Sequence, residues 1–247
     1  INLPYQNSNL SYNKNDYTLN KISSNTLEFI QKIPNTKITI KGGSIKNTKI
    51  LLKLIPLKKN LNSKTINQKG LTGCLNLIDL DIKDIIIEIE NANCEDAINI
   101  IRSQGHIKKI KSSESTNDAL DMDFSNISID NLIITNSGND CVDLSFGNYQ
   151  FNNVEINSCS DKGISVGESS KLFSNLSFIK NTDIGIAVKD SSIAKLKNAN
   201  FDNVKTCFAA YKKKQEFNGG KIKVKKTECL NYDKKTDIDI FSEITHN

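Results

Sequence analysis

At 247 residues, with 37% hydrophobic and 25% charged residues, the chain can bury a sizeable core, and three prolines with no linker-like tract indicate one domain. No apolar run reaches the roughly 18 residues of a membrane-spanning helix, and no signal sequence opens the chain. The net charge of +5 comes from Lys interspersed with Asp and Glu, the pattern of a solvated surface. Lys-rich stretches at Lys53–Lys69 and Lys205–Lys235 could favour an acidic polymer, but no nucleic-acid-binding module accompanies them. The first residue is Ile1, which reads as a mature form or a piece of something longer and leaves the compartment open.

Residues 1–35 are polar and Asn-rich, with an apolar cluster at Leu27, Phe29, Ile30 and Ile33 that predicts a short helix or irregular cap over the first coil. Thr36–Ile40 with Gly42 and Gly43 reads as a strand and turn, and Ile45–Ile55 as a second strand region. Lys58–Gly70 is too polar for a core and too long for a plain turn, so a projecting loop is expected there. Ile85–Ile89 reads as another strand, and further strands are expected at Ile127–Ile134, Tyr149–Ile156, Leu172–Phe178, Ile193–Ala199 and Lys221–Val224. The tail after Asp233 is charged and weakly patterned, a terminal cap or a partly disordered end. The resulting division is a cap over 1–35, a repeat region over 36–232 and a tail over 233–247.

One pattern recurs through the repeat region: a small residue, then two apolar residues at alternate positions. The pairs are Ile98/Ile100, Leu120/Met122, Val142/Leu144, Ile164/Val166, Ile186/Val188 and Phe208/Ala210, each 22 residues after the last, and Leu230/Tyr232 reads as a seventh copy. Alternation and β-branching leave no room for a helix in every repeat. Fully extended, such a unit would span about 73 Å at roughly 3.3 Å per residue, so successive copies stack in register only if each closes into a coil about 4.8 Å from the next. That is an all-β fold, a parallel β-helix, right-handed by the general preference of parallel crossovers. The Leu-x-x-Leu-x-Leu signature of leucine-rich repeats, the rival at this period, is absent. Phe124 and Phe146, and likewise Ile129, Phe151 and Phe173, recur at the same interval and are expected as internal stacks.

The six cysteines take their meaning from this register. Cys141, Cys207 and Cys229 fall in the small-residue column occupied elsewhere by Ala97, Ala119, Gly163 and Gly185, and Cys74 starts a similar pattern 23 residues before Ala97. They are expected as buried packing residues rather than a disulfide framework. Cys207 and Cys229, one coil apart, are close enough to bridge; Cys141 and Cys207, three coils apart at about 14 Å, are not.

If the apolar pairs point inward, the residues between them point outward: Asn99, Asp121, Asp143, Ser165, Ala187 and Ala209. Two positions on come Asp123, Ser145, Gly167, Lys189 and Tyr211, followed by Phe124, Phe146, Glu168, Asp190 and Lys212. The turn before each repeat contributes Asp96, Asp118, Asp140 and Lys162. Asp is at home in such turns, where its side chain bonds to local backbone. In mid-strand it is depleted, so Asp121 and Asp143 call for another explanation.

The segments Thr116-Asn117-Asp118-Ala119-Leu120-Asp121, Gly138-Asn139-Asp140-Cys141-Val142-Asp143, Asp161-Lys162-Gly163-Ile164-Ser165-Val166-Gly167 and Gly185-Ile186-Ala187-Val188-Lys189 resemble, in order, the four signature segments of polygalacturonase-type glycoside hydrolases of the pectate lyase-like β-helix superfamily. The resemblance covers roughly residues 95–190. It implies that Asp118 and Asp140 correspond to two of that family's three catalytic carboxylates and Lys189 to its substrate-binding lysine. Asn139, Lys162 and Ala187 stand where the family has its general acid, a histidine and an arginine.

An amide cannot protonate a leaving group, and glycoside hydrolysis needs an acid as well as a base or nucleophile. Asp121 or Asp143 could supply that acid, with Asp118 or Asp140 polarising water. Alternatively, clustered Asp could hold Ca²⁺ for a lyase or epimerase reaction with Lys162, Lys189 or Tyr211 as base. No Asp-x-Asp-x-Asp-Gly loop or His/Cys cluster specifies a metal, and His106 and His246 lie outside the register. The catalytic candidates are therefore Asp118, Asp140, Asp121, Asp143 and Lys162. Lys189, Glu168, Asp190, Tyr211 and Lys212 are the candidates for substrate binding, and no residue is assigned to a metal. The expected partner is an extended, acidic polysaccharide met outside the cell, with a non-catalytic polysaccharide-binding or structural module as the alternative.

Overall fold

The computed structural model describes residues 7–56 and 70–246, so all but Gly70 of the expected projecting loop lies outside the described residues. Strands begin with β1 (Asn9–Ser11), β2 (Tyr17–Ser23), β3 (Thr26–Gln31), β4 (Ile38–Lys41), β5 (Ser44–Lys46) and β6 (Lys49–Lys53). They continue as β7 (Gly73–Ile78), β8 (Asp81–Glu90), β9 (Asp96–Ile101), β10 (Gln104–Ser115), β11 (Asp118–Asp123) and β12 (Asn126–Ser137). The last are β13 (Val142–Ser145), β14 (Asn148–Gly167), β15 (Lys171–Lys189), β16 (Ile193–Tyr211), β17 (Lys221–Ile238) and β18 (Glu243–His246).

From β3 onward each strand pairs in parallel with strands of the neighbouring coils, giving a right-handed parallel β-helix. Ile98, Leu120, Val142, Ile164, Ile186 and Phe208 pair in succession, and all have no exposed surface. Each such burial contributes about 1.5–3 kcal/mol. Close stacking also restricts the corners: a Cβ on Gly138 would sit 1.9 Å from the Thr116 carbonyl of the preceding coil.

Two corners of the coil are left-handed ladders. Arg102, Phe124, Phe146, Glu168 and Asp190 occupy one, at φ between 47° and 54°. Glu114, Asn136, Ser158, Asn181, Asn203 and Asn231 occupy the other, at φ between 49° and 64°. Asn tolerates this conformation well, whereas most L-residues lose roughly 1–2 kcal/mol in it. Asn side chains also bond between coils, as in Asn203 to Asn181 at 2.7 Å and Asn181 to Asn157 at 2.6 Å.

Four expectations are corrected. The Leu27–Ile33 cluster forms no helix: β2 and β3 make an antiparallel hairpin whose second strand already pairs in parallel with β6. The seventh copy, Leu230/Tyr232, is out of register. The segment 212–220 lengthens the last coil, so Ile193 pairs with Lys221, 28 residues on, and Phe208 pairs with Thr236. Leu230 and Tyr232 face Asp202 and Val204 and are exposed, while Cys229 stands opposite Phe201 outside the small-residue column. Ile129 and Phe151 are internal, but Phe124, Phe146 and Phe173 point out, the first two because they sit on the left-handed corner.

The cysteines are the fourth case. Cys74–Cys94 and Cys141–Cys159 are disulfides, with Cα atoms 5.4 and 5.6 Å apart, while Cys207 and Cys229 are free. Both bridges join residues slightly less than one coil apart, across a corner, a proximity that distances along one column do not reveal. Converting Cys141 and Cys159 together to Ser should lower stability by about 2–4 kcal/mol. Denaturant unfolding of the variant would check this, and an unchanged midpoint would refute it.

Candidate active site

The outward column forms one continuous line, since Asn99 pairs with Asp121, Asp121 with Asp143, Asp143 with Ser165 and Ser165 with Ala187. The turn residues lie alongside. Asp118 Oδ1 accepts the backbone N–H of Asp140 at 2.9 Å and the Asn139 amide at 2.7 Å. Asp140 Oδ1 in turn accepts the backbone N–H of Lys162 at 3.0 Å. The two carboxylates singled out by the family resemblance therefore brace one coil to the next.

Lys162 is held by Asp161 and by Asp140. Burial lowers its pKa, but the bond to Asp161 and the charges of Asp140 and Asp161 raise it further, so it remains an ammonium. Tyr211 is pushed up by burial, against the opposing pull of Lys189 and Lys162. Neither supplies a ready base at neutral pH. Lys189 is buried, donates to Ser165 Oγ at 2.8 Å and lies 3.9 Å from Asp143.

Asp121 accepts the Asn99 amide at 2.7 Å. Burial, then the charges of Asp96, Asp123, Asp143 and Asp118, hold it well above the usual carboxylate range. Asp96, Asp118, Asp123 and Asp140 are each pushed up to about 6, again chiefly by burial. Glu168 behaves oppositely: burial raises it, but Lys214 at 2.6 Å and Ser145 at 2.6 Å bring it below its ordinary value.

The raised carboxyls also govern how stability varies with pH. A carboxyl whose folded pKa exceeds its unfolded value of about 3.9 takes up its proton first in the folded state, so its burial penalty is full above the folded pKa and fades as pH falls. His106, in which bonds to Asp130 and Asp84 outweigh the lowering effect of burial, acts in the same sense. The melting temperature should therefore be higher at pH 5 than at pH 7.5. A scanning measurement showing the reverse would overturn the assignment.

Asp190 and Lys212 are not brought into this cluster. Asp190 is fully buried and accepts the backbone N–H groups of Lys213 and Lys214 at 2.7 and 2.8 Å, anchoring the segment 212–220. Lys212 donates its backbone N–H to Asp239, and its ammonium lies 5.4 Å from the centre of the Phe241 ring. Asp96, Asp123 and Lys214 join the cluster without having been candidates. The first two were visible as register positions, whereas Lys214 depends on the path of the inserted segment. Among the described residues, no group of three or more His, Cys, Asp or Glu side chains converges as a metal site. A separate groove of about 890 Å³, bordered by Lys83, His106, Gln150 and Lys195, runs along another face of the coil stack.

No protein-family model matches this chain, and no curated protein matches it. Among solved structures, a single-residue variant of the GH87 alpha-1,3-glucanase catalytic domain in complex with nigerose is similar, with a TM-score of 0.42 and 11% identity over 89% of this chain. The GH87 alpha-1,3-glucanase catalytic domain in complex with nigerose gives a TM-score of 0.38 and 10% identity over 89% of this chain. The present chain spans 58% of the length of each. No helix among the described residues is long and apolar enough to cross a membrane.

Proposed function

We propose that this β-helix acts on a polysaccharide as a glycoside hydrolase, with Asp121 as general acid and Asp143 as its base or nucleophile. The observation that carries the reading is the contrast between neighbours on adjacent strands: burial and surrounding carboxylates raise Asp121 well above the usual carboxylate range, while Asp143 lies 3.9 Å from the Lys189 ammonium. Two carboxyls whose environments differ in this way are the arrangement that divides acid from base. Strand spacing of about 4.8 Å favours the closer, retaining geometry over the wider inverting one. The two disulfides support an oxidising, extracytoplasmic setting.

The acidic-polymer expectation relies on Lys189 and Lys212 meeting uronate carboxyls. Lys189 already engages Ser165 and Asp143, and Lys212 lies over Phe241. Acidic chains therefore form one arm of the test rather than its premise. Lyase chemistry, with or without Ca²⁺, is less well supported because Lys162 stays an ammonium and Tyr211 a phenol.

A second reading, a non-catalytic binding module, draws on the bracing roles of Asp118 and Asp140. Incubating the protein with neutral and uronate polysaccharides, with and without Ca²⁺, separates these readings. New reducing ends without unsaturation are expected. Unsaturated ends would indicate a lyase, and binding without product would indicate the module.

A further inference from the structure

We propose that Phe124 and Phe146, with Phe217 beside them, form a stacking platform for the apolar face of a pyranose ring in a neutral polysaccharide lying along the acidic column. The inference rests on reading that column as a polysaccharide site, and it names the class of chain the site takes.

Phe124 and Phe146 are 55% and 42% exposed, and their rings stack with centroids 4.7 Å apart and an interplanar angle of 1°. Both occupy left-handed backbone, at φ 51°. The opposite corner meets the same demand largely with Asn, so the fold does not require a bulky ring there. An exposed aromatic pair held in a conformation that disfavours it points to a role outside folding.

Position supplies that role. Phe124 follows Asp123 directly and Phe146 follows Ser145, whose hydroxyl bonds Glu168, so the rings border the acidic column. Phe217 stands 6.3 Å from Phe146 at 57°, on the segment that buried Asp190 anchors and Lys214 ties to Glu168. Sugar rings present C–H groups on one face and hydroxyls at their edges, matching an aromatic surface beside hydrogen-bonding carboxyls. Lys162, Lys189 and Lys214 are each paired already, and above about pH 6 the carboxylates of Asp96, Asp118 and Asp123 leave the column negative, a field that repels uronate chains.

Asn is at ease in left-handed backbone, so Phe124→Asn with Phe146→Asn removes the rings without disturbing the corner. Affinity electrophoresis and calorimetry on glucans, xylan, mannan and polygalacturonate should show binding to a neutral polymer that weakens about tenfold or more in the double variant. The melting temperature should be unchanged or higher. Unchanged affinity in the double variant, binding of the uronate polymer alone, or a change of oligomeric state in place of affinity would each overturn the platform. If the double variant keeps its affinity while Asp121→Asn loses turnover, the platform fails and the column reading stands. If the native protein binds no polysaccharide, the column reading fails and the platform with it.

Discussion

Replacing Asp121 with Asn is expected to lower polysaccharide turnover by about 10²–10⁴-fold, the usual contribution of a positioned general acid. The fold should not suffer. Asp121 sits among Asp96, Asp118, Asp123 and Asp143, and burial and those charges raise its pKa well above the usual carboxylate range. An amide preserves the shape and the oxygen that accepts from Asn99 at 2.7 Å, while removing a group that is costly to ionise. The melting temperature at pH 7.5 should therefore be equal or higher, the sign expected where function has been placed at the expense of stability. Asp143→Asn should also lower turnover, but it leaves the Lys189 ammonium without its nearby carboxylate and should be the less stable of the two. Initial rates and melting curves on both variants distinguish chemistry from folding. Native rates in Asp121→Asn would remove the acid from the mechanism.

The second large effect concerns the register of the coils. Phe208 has no exposed surface and meets Phe201 edge to face, with centroids 4.9 Å apart at 82°. Phe208→Ala should cost about 3–5 kcal/mol through lost burial and the cavity left behind. For a chain of this size each kcal/mol moves the melting temperature by about 2–4 °C, so a fall of roughly 6–20 °C is expected. Leu230→Ala is the matched control, because sequence spacing alone makes Leu230 the next member of the same column. It is 49% exposed on the last coil, and its loss should cost about 0.5 kcal/mol or less. Similar losses in both variants would contradict the 28-residue final coil.

The left-handed corner explains why Phe124 and Phe146 are exposed and not stacked inside the coil. A 22-residue recurrence shows that Phe124 and Phe146 share a column but not which way the column points. Their side chains leave a turn at φ 51° and not a strand, so the two-residue alternation that governs Leu120 and Met122 does not extend to them. Lys212 and Asp190 show a related limit. Both fall in the correct column, but the insertion after Tyr211 pulls them into anchoring a loop.

The 22-residue interval is enough to establish the coil. Side chains of a strand alternate with period two, and acidic or polar positions recurring at one interval could share a face only in a closed, stacked repeat. Because parallel pairing preserves that interval from coil to coil, it also placed Asp121 beside Asp143 and Asp118 beside Asp140. What those neighbours do is set by contacts between coils. Whether a carboxyl is a brace or an acid depends on burial and on contacts from other coils: the N–H of Asp140 on Asp118, and Lys189 reaching back to Asp143. The disulfides and the lengthened last coil belong to the same class, since pairing across a corner and the path of an insertion depend on three-dimensional closure that a linear interval does not record.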